Sequence, residues 1–358
     1  MTTMTHLETA RVVIGVDTHL DVHVAVAFDH LGRKLGWLAI PTTTTGYTEL
    51  LEWAQTFGEI EAWGIEGTGS YGAGLARFLA AEDQLVFEII RPNRQTRRRK
   101  GKSDPTDAEA AARAVLSGEA AGTPKAGNDL VEMIRVLRIA RSSATKARTQ
   151  AINGLRALVV TAPPELRQRL RDLTTTALID TAAHLRPGRE RTVLAHTKLA
   201  LRSAGQRCQA LDAELAVLDA RLDELTAEAA PELLEHYGVG PDTAAALLVA
   251  AGDNPQRLRS EAAFAMLCGA SPLPASSGKT TGRHRLNRGG DRQANAALYR
   301  IVLVRMRWDP KTKHYVERRT KEGKSKKEII RCLKRYVARE IYAALTTRTE
   351  PETIARAA

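Results

Sequence analysis

Four acidic residues occupy positions from which their carboxylates could share metal ions. Asp17 ends the run RVVIGVD, Glu66 lies near the end of IEAWGIEG, and Asp104 and Asp107 open an alanine-rich run further along the chain. Four carboxylates offer the oxygen ligands that hard divalent cations take, with two Mg²⁺ ions as the first expectation. A metal pair activates a nucleophile and stabilises the leaving oxygen when a phosphodiester is cleaved. The acids therefore predict a phosphodiester-cleaving site.

The stretch GKSDPTDAEAAARAV (101–115) has a second interpretation. Aspartate is a favoured N-cap and proline suits the first turn of a helix, so a plain helix start accounts for Asp104 followed by Pro105. Residues three apart also share one face of a helix, so Asp104 and Asp107 could face the same metal. The two roles are compatible, because Pro105 would pin the helix start and hold the adjacent carboxylate in place. Capping does not explain acids at two strand ends, which favours the metal interpretation.

Residues 11–115 have the pattern of an α/β unit. Three apolar runs joined by short connections predict an antiparallel meander, and alternating helix and strand follow it. The predicted strands are 11–17, 21–30, 34–40, 60–67 and 84–90, and the predicted helices are 46–57 and 71–82. This order is the one expected of an RNase H-like fold, in which strand ends and the helix after the last strand can converge.

The middle of the chain is helical by pattern, from Asn128 to about Ala230, with breaks at 161–165 and 186–190. Leucines near its end form a heptad seam, which predicts either an intramolecular hairpin or a coiled-coil arm that pairs subunits. They are Leu211, Leu215, Leu218, Leu222 and Leu225. The chain is accordingly divided into three domains, which are 1–127, 128–230 and 231–358.

The last domain is predicted to be mainly α-helical. In HYGVGPDTAAALLVAAG (236–252), Gly238 and Gly240 bracket a turn that leads into a helix. Such a turn can expose backbone N–H groups to a phosphate, as in helix-hairpin-helix DNA modules, although ordinary turns share the pattern. The run RRTKEGKSKKEIIRCLKRYVAREIYAAL (318–345) predicts one basic amphipathic helix.

The composition favours a polyanionic partner. The 358 residues include 53 Lys and Arg against 41 Asp and Glu, which gives a formal net charge of +12. Three scattered cysteines fit neither a disulfide framework nor a zinc cluster. The N-terminus lacks the layout of a signal peptide, and no apolar run reaches the roughly 18 residues of a membrane span. These features predict a cytoplasmic protein that binds nucleic acid.

Two segments concentrate the positive charge: RPNRQTRRRKGKS (91–103), beside the predicted acidic site, and the Gly-, Ser- and Arg-rich run 276–295. In 91–103, which contains no acid, a solvated loop is the alternative interpretation, but positive charge beside a candidate active site favours contacts with phosphates. The predicted nucleic-acid-binding residues are Arg94, Arg97, Arg98, Arg99, Lys100, Lys102, Lys279, Arg283, Arg285, Arg288 and Arg292.

Four motifs together resemble the insertion-sequence-110 family of transposases, the DEDD transposases also described as bridge-RNA-guided recombinases. The motifs are DTHLDVHVA (17–25), GIEGTGSYGAGLARFL (64–79), GKSDPTDAEAAARAV (101–115) and SSGKTTGRHRLNRGGDRQANAALYRIVLVRM (276–306). The resemblance covers nearly the whole chain. It implies an N-terminal RuvC-like domain and a C-terminal transposase domain joined by a coiled coil.

The resemblance also implies roles for particular residues. The family's acidic tetrad falls on Asp17, Glu66, Asp104 and Asp107, and its catalytic serine, which precedes a glycine, falls on Ser277. Ser276 is adjacent and is the alternative nucleophile. The implied partners are double-stranded donor and target DNA, a structured noncoding guide RNA, and further copies of the chain in a dimer or tetramer.

Two other functions remain open from the sequence. A RuvC-like junction resolvase would cut DNA with metal-activated water and no covalent serine, and an architectural DNA- or RNA-binding protein would keep the fold without catalysis. Among the histidines, His19 and His23 have a spacing that metal ligands can have, and strand alternation would place both on one face. Packing is the commoner role for such residues, so neither is assigned to the site. His284, close to Ser277, is a candidate proton donor to a leaving group.

Overall fold

The computed structural model describes residues 10–89, 103–120, 122–127, 129–275, 284–285, 287 and 289–347. The chain divides into two compact units. The first unit comprises Met1–Asp129 and Ala251–Ser260, and the second comprises Leu130–Ala250 and Glu261–Ala358. No helix in the described ranges is long and apolar enough to cross a membrane.

The first unit contains a five-stranded sheet with the order β3-β2-β1-β4-β5. The strands are β1 (Arg11–Thr18), β2 (Val22–Asp29), β3 (Lys34–Pro41), β4 (Glu59–Glu66) and β5 (Val86–Ile89). The pairs β1–β2 and β2–β3 are antiparallel, whereas β1–β4 and β4–β5 are parallel. The predicted meander followed by alternating helix and strand is therefore confirmed, and the assignment to the RuvC-like fold remains a prediction.

Helices cover both faces of this sheet. They are α1 (Thr44–Gln55), α2 (Ala73–Ala81) and α3 (Asp104–Leu116). On one face, Leu50 of α1 and Leu75 of α2 pack in a core with Ile14 and Trp63. On the opposite face, α3 packs against alternate residues of β1 and β2. That second cluster consists of Val13, Val26, Phe28, Ala108 and Ala112. Side-chain alternation explains the division, since neighbouring residues of a strand point to opposite faces.

Small residues bring α3 very close to the centre of the sheet. A Cβ atom on Gly15 of β1 would lie 2.1 Å from the Ala108 carbonyl oxygen and 2.3 Å from the Ala112 nitrogen. At Gly64 of β4 an added Cβ would lie 2.8 Å from the Ala111 carbonyl oxygen. The helix backbone therefore lies directly on the two central strands. This contact fixes the position of the helix start, which carries two of the predicted site acids.

A segment from later in the chain completes the first unit. Arg257 donates from Nη2 to a Glu88 carboxylate oxygen on β5 at 3.1 Å and from Nε to the Thr123 carbonyl oxygen at 2.9 Å. The Asn254 amide donates to the Pro124 carbonyl oxygen at 2.9 Å and accepts from the Ala126 N–H at 3.1 Å. Residues 251–260 are thus bound to the end of the α/β unit by polar contacts with its backbone and with the Glu88 side chain.

The second unit is almost entirely helical. Its helices are α4 (Leu130–Val160), α5 (Pro164–Leu170), α6 (Thr175–Ala183), α7 (Val193–Ala229), α8 (Pro231–Glu235), α9 (Pro241–Ala251), α10 (Glu261–Leu267), α11 (Arg292–Trp308), α12 (Pro310–Lys321) and α13 (Lys326–Thr347), with a short pair of strands, β6 (Leu273–Pro274) and β7 (His284–Arg285). The predicted breaks at 161–165 and 186–190 are confirmed. Ala251, the last residue of α9, is assigned to the first unit.

The long helices α4 and α7 form an antiparallel hairpin. Arg141 of α4 pairs with Asp219 of α7. Arg148, two turns further along α4, pairs with Asp212, which lies two turns before Asp219 on α7, so the helices run in opposite directions. In the predicted leucine seam, Leu222 is 2 % exposed. The intramolecular hairpin, one of the two structures predicted for the leucine seam, is therefore present. A coiled-coil arm that pairs subunits stays a prediction.

The single helix predicted for 318–345 is wrong. The chain leaves α12 after Lys321 and starts α13 at Lys326. Gly323 lies between them with φ +83°, a backbone conformation that side chains with a Cβ rarely adopt. Periodicity continues across the break, which is why the pattern suggested one helix.

We expect Gly15→Ala to destabilise the first unit by about 2 kcal/mol, because the added methyl would overlap the α3 backbone, which cannot move without disturbing the sheet. Urea unfolding followed by tryptophan fluorescence measures the change. The matched control is Gly69→Ala, since Gly69 is exposed and a Cβ there would meet nothing within 4 Å. Equal unfolding midpoints for Gly15→Ala and the unsubstituted protein would show that α3 is not held as described.

Candidate functional site

The described residues contain one cluster with the chemistry of a metal site, at the end of β1. Ligand atoms of Asp17, His19 and Asp104 all lie within 4.8 Å of one another. His19 Nε2 is 3.1 Å from Asp17 Oδ2 and 3.4 Å from Asp104 Oδ1. The predicted convergence of Asp17 from a strand end and Asp104 from a helix start is present in the fold.

The start of α3 differs from the prediction. Ser103 is the N-cap residue, with extended backbone angles, and its carbonyl oxygen accepts the N–H groups of Thr106 and Asp107 at 2.9 and 3.1 Å. Asp104 is the first residue of the helix, so its predicted role as the cap is wrong. Pro105 lies in the first turn as predicted. The Asp104 carboxylate is 50 % exposed and is directed to His19 instead of the helix backbone.

The other two acids lie near the cluster but outside its closest group. Asp107 is buried on α3, one turn after Asp104. Glu66 ends β4, the parallel neighbour of β1, and its carbonyl oxygen accepts the Thr18 hydroxyl at 2.8 Å. The sheet register therefore brings the ends of β1 and β4 together, whereas the carboxylates of Glu66 and Asp107 are not among the ligand atoms within 4.8 Å.

Electrostatics shows why a cation would suit this place. The pKa of Asp17 is raised first by burial, and the negative charges of Asp107 and Asp104 raise it further, although His19 partly offsets them. The ionised Asp17 carboxylate is therefore unfavourable in the protein alone. A buried Asp17 carboxylate repelled by neighbouring acids fits a hard divalent cation, because the charge of the cation would relieve the repulsion.

His19 is the residue that sequence reasoning left out. It lies in the turn between β1 and β2, so the expectation that His19 and His23 share a strand face is wrong. The signal that could have identified it is its position two residues after a strand-ending aspartate, where a short turn returns the chain toward the sheet edge.

His23 has a different environment. It is fully buried on β2 and its ring stacks on Tyr47, with centroids 5.9 Å apart and planes 4° from parallel. Its Nδ1 accepts the His19 N–H at 3.4 Å, and burial lowers the pKa of its imidazole. His23 therefore packs behind the turn and stays neutral, as expected for a packing histidine.

Several predicted residues lie outside the described ranges. These are Ser276, Ser277, Lys279, Arg283 and Arg288 near the C-terminal motif, and Arg94, Arg97, Arg98, Arg99, Lys100 and Lys102 in the basic segment. Arg285 and His284 are exposed on β7, and Arg292 begins α11. No described contact tests their predicted roles.

The glycine turn before α9 already carries its own polar contacts. Gly240 N–H donates to Thr243 Oγ1 at 3.0 Å. Asp242, in the first turn of α9, pairs with Arg138 of α4 at 2.8 Å and with Arg300 of α11 at 2.5 Å. This carboxylate joins three helices, and the binding of a phosphate at the turn remains a prediction.

Two family models match the chain. Residues 14–164 match the model of the DEDD transposases of IS110, described as a transposase, and residues 230–317 match a model described as a transposase of the IS116/IS110/IS902 family. The first range contains the four predicted acids, and the second contains Ser277.

Two proteins of insertion elements are similar to the chain. The 42 kDa protein of insertion element IS900 from Mycobacterium paratuberculosis is 24 % identical over 383 residues, covering 92 % of this chain and 94 % of that protein. The 43.6 kDa protein of insertion element IS110 from Streptomyces coelicolor is 30 % identical over 185 residues, covering 51 % of this chain and 44 % of that protein.

We expect Asp17→Asn to raise the melting temperature in EDTA, because it removes a buried charge whose pKa is raised by burial and by two neighbouring acids. The same change should abolish the rise in melting temperature that MgCl₂ gives the unsubstituted protein, because a ligand is lost. Asp21→Asn, in the same turn but exposed, should leave both temperatures unchanged. If Asp17→Asn retained the full MgCl₂ effect, Asp17 would not be a ligand.

We expect Asp242→Asn to lower the free energy of unfolding by roughly 2 kcal/mol at pH 7, since three charge-assisted contacts are lost. Burial alone would raise the pKa of Asp242, but Arg138, Arg300 and Arg141 outweigh it and lower the pKa. A lowered pKa stabilises the fold above the ordinary pKa of 3.8, and this stabilisation is lost as the pH falls through the folded-state value.

Urea titrations at several pH values measure this difference. The gap between Asp242→Asn and the unsubstituted protein should be constant from neutral pH to about pH 5 and should shrink below about pH 4. The control is Asp180→Asn, because Asp180 forms an exposed pair with His184. A gap that grows on acidification would contradict the assignment.

Proposed function

The chain belongs to the IS110 family of transposases, and from that membership we propose that it excises and inserts a mobile DNA element through attack of Ser277 on DNA phosphodiesters. Transposases of this family cleave and rejoin DNA. The attack would take place at a metal-assisted site formed by the acidic tetrad. The tetrad is Asp17, Glu66, Asp104 and Asp107.

One observation carries the proposal. The carboxylates of Asp17 and Asp104 are far apart in sequence, yet the packing of α3 on β1 brings both to within ligand distance of a common point with His19. The raised pKa of Asp17, caused by burial and by its acidic neighbours, supports a site built for a positive charge. Acids that lay on the surface by chance would not be positioned by a close contact between helix and strand backbones, such as the one at Gly15.

The acids would hold divalent cations, two Mg²⁺ ions by resemblance to the family. When bound, such ions polarise a phosphoryl oxygen and neutralise charge as it develops on the leaving oxygen. The role of the chain is to position these groups. His19 spans the Asp17 and Asp104 carboxylates, and Ser103 fixes the start of the helix that carries Asp104 and Asp107.

In the proposed reaction, Ser277 Oγ forms a bond to the phosphorus of a DNA phosphodiester. The bond from phosphorus to the departing deoxyribose oxygen breaks, and that oxygen takes the proton that the serine releases. The resulting phosphoserine diester conserves the bond energy. The hydroxyl of a second DNA end then displaces the serine oxygen, which recovers a proton, so that strands are rejoined without ATP.

The wider proposal includes partners. The formal charge of +12 supports binding of polyanions, and resemblance to the family implies that these are donor and target DNA and a structured guide RNA that selects the target by base pairing. The basic segments 91–103 and 276–295 would hold nucleic-acid backbones. Dimers or tetramers would form through the α4–α7 hairpin as a coiled-coil arm, and the protein would act in the cytoplasm.

A second candidate is a metal-dependent junction resolvase. The acidic cluster favours it as well, because cleavage by metal-activated water needs the carboxylates and no serine. The two functions differ in one product, since only the transposase leaves protein covalently joined to DNA. An architectural protein without catalysis would instead keep its DNA or RNA binding, and every other measurable activity, when all four acids are changed.

We expect Ser277→Ala to abolish covalent protein–DNA adducts, whereas Ser276→Ala should retain them. The reason is that only Ser277 would supply the oxygen that becomes esterified. Radiolabelled element-end DNA is incubated with protein and MgCl₂, denatured and resolved by electrophoresis. Adducts formed by Ser277→Ala but lost in Ser276→Ala would move the nucleophile to Ser276. Cleaved DNA without adducts in the unsubstituted protein would favour the resolvase.

A further inference from the structure

A basic pocket lies in the second unit. Its volume is about 750 Å³. One wall is α13 from Glu328 to Arg339, and the opposite wall contains residues 269–272 together with His284 and Arg285 of β7. A cavity of this size suits a small ligand or part of one extended chain, and it is too confined for a double helix.

Positive charge dominates the pocket. Its lining includes six cationic side chains, which are Arg285, Lys324, Arg331, Lys334, Arg335 and Arg339. Arg335 and Arg339 share the single carboxylate of Glu261. Glu328, in the lining, is engaged by the N–H and hydroxyl of Ser325 at the start of α13. Glu328 is thus the one acidic side chain in the described lining, against six cations, and Glu261 pairs with two of them from outside the lining, which leaves the pocket with excess positive charge.

Lys334 is the most deeply placed of these cations, at 8 % exposure. Its Nζ donates to Asn295 Oδ1 at 2.9 Å. The orientation of that amide is fixed, because Asn295 Nδ2 donates to the carbonyl oxygens of Cys268 and Gly269 at 2.8 and 3.1 Å. In the described part of the chain Lys334 forms no ion pair with a carboxylate. An ammonium buried with a single neutral acceptor is costly, and an anion in the pocket would offset that cost.

Three arginines repeat along the pocket face of α13. Arg331, Arg335 and Arg339 are spaced four residues apart, so they lie above one another on the helix. Like charges at this spacing destabilise a helix unless an opposite charge lies between them. Burial and the neighbouring Arg339 lower the pKa of Arg335, and burial and Arg331 lower that of Lys334. The row therefore matches a ligand with regularly repeated negative charges.

An exposed aromatic ring borders the same pocket. Tyr336 is 46 % exposed and is held edge-on against Tyr315, with centroids 5.8 Å apart. Aromatic faces beside a positive groove are the usual means of binding single-stranded nucleic acid, because bases stack on the ring while cations contact the phosphates. A lipid or a free anion would not use the ring in this way.

We propose that this pocket binds a single strand of DNA, with its phosphates on the α13 cations and a base on Tyr336. The pocket lining includes residues on both sides of the segment 276–283, which carries the predicted nucleophile. The inference rests on the proposed function to this extent: the bound strand would be the one delivered to Ser277. The binding itself requires neither the serine nor a metal.

Cys332 provides a probe of occupancy. It lies in the pocket lining and is half-buried, whereas Cys208 and Cys268 are fully buried and serve as internal controls. The full-length protein is alkylated with maleimide in EDTA, with and without oligodeoxythymidine of about ten nucleotides, and the modified cysteines are identified by mass spectrometry. We expect the strand to slow Cys332 alkylation at least about fivefold.

The decisive variant is Arg331→Gln, because Arg331 is exposed and its loss leaves the packing of α13 intact. It should raise the DNA concentration needed for half-protection about tenfold and reduce the salt dependence of binding by about one counterion. Tyr336→Ala should raise that concentration about tenfold at every salt concentration. Lys327→Gln is the matched control, since Lys327 is an exposed cation of the same helix outside the pocket.

Protection experiments with other nucleic acids test whether the pocket selects single-stranded DNA. Protection by a duplex at the same concentration, or by oligouridine alone, would overturn the assignment to a DNA single strand. Protection of Arg331→Gln at the concentration that protects the unsubstituted protein would overturn the pocket altogether.

The same preparations separate the two proposals. Asp17→Asn should lose covalent adducts and keep Cys332 protection. Normal protection in Arg331→Gln, with adducts lost in Asp17→Asn, would overturn the pocket and leave the proposed function standing. Lost protection in Arg331→Gln, with adducts intact in Asp17→Asn, would overturn the proposed function and leave the pocket standing.

Discussion

The direct contact between the backbone of α3 and the central strand β1 is the constraint on which the candidate site depends. Gly15 leaves room for the Ala108 carbonyl oxygen to lie where a side chain would otherwise be. Since α3 starts at Asp104 and β1 ends just after Asp17, this single contact sets the separation of two carboxylates. Neither acid could be brought to the other by a flexible loop with comparable accuracy. The alanines of α3 are thus part of the construction of the site.

Both charged regions of the molecule are arranged at a cost to the protein alone. Around Asp17, burial and neighbouring acids raise the pKa of the carboxylate, and around Lys334 burial and Arg331 lower the pKa of the ammonium. The acids of the candidate site lie in the first unit, and the cations of α13 lie in the second. The proposed cation site and the proposed phosphate pocket therefore belong to different units.

Periodicity in the sequence was sufficient to predict the five strands and their order, because β1 and β2 are continuous apolar runs bounded by short turns. It predicted that four acids would converge, since strand ends and the next helix start can meet, and of these Asp17 and Asp104 lie in the closest cluster whereas Glu66 and Asp107 do not. It did not predict His19, whose role depends on how a turn folds back, or Ser103, which replaced Asp104 as the cap. The break at Gly323 was missed because the amphipathic pattern continues through it. The pocket depends on Asn295 and Lys334, which are far apart in sequence and show no local pattern.

The contribution of residues 251–260 to the first unit bears on the order in which the protein can assemble during synthesis. Arg257 reaches Glu88 across 169 positions of the chain, and Asn254 reaches Pro124 across 130. The ribosome must therefore produce the whole α4–α7 hairpin before these contacts can form, and until then Glu88 has Thr68 and Gly122 as partners but lacks Arg257. A fragment that stops at residue 129 would lack residues 251–260 and would therefore omit part of the unit to which it belongs.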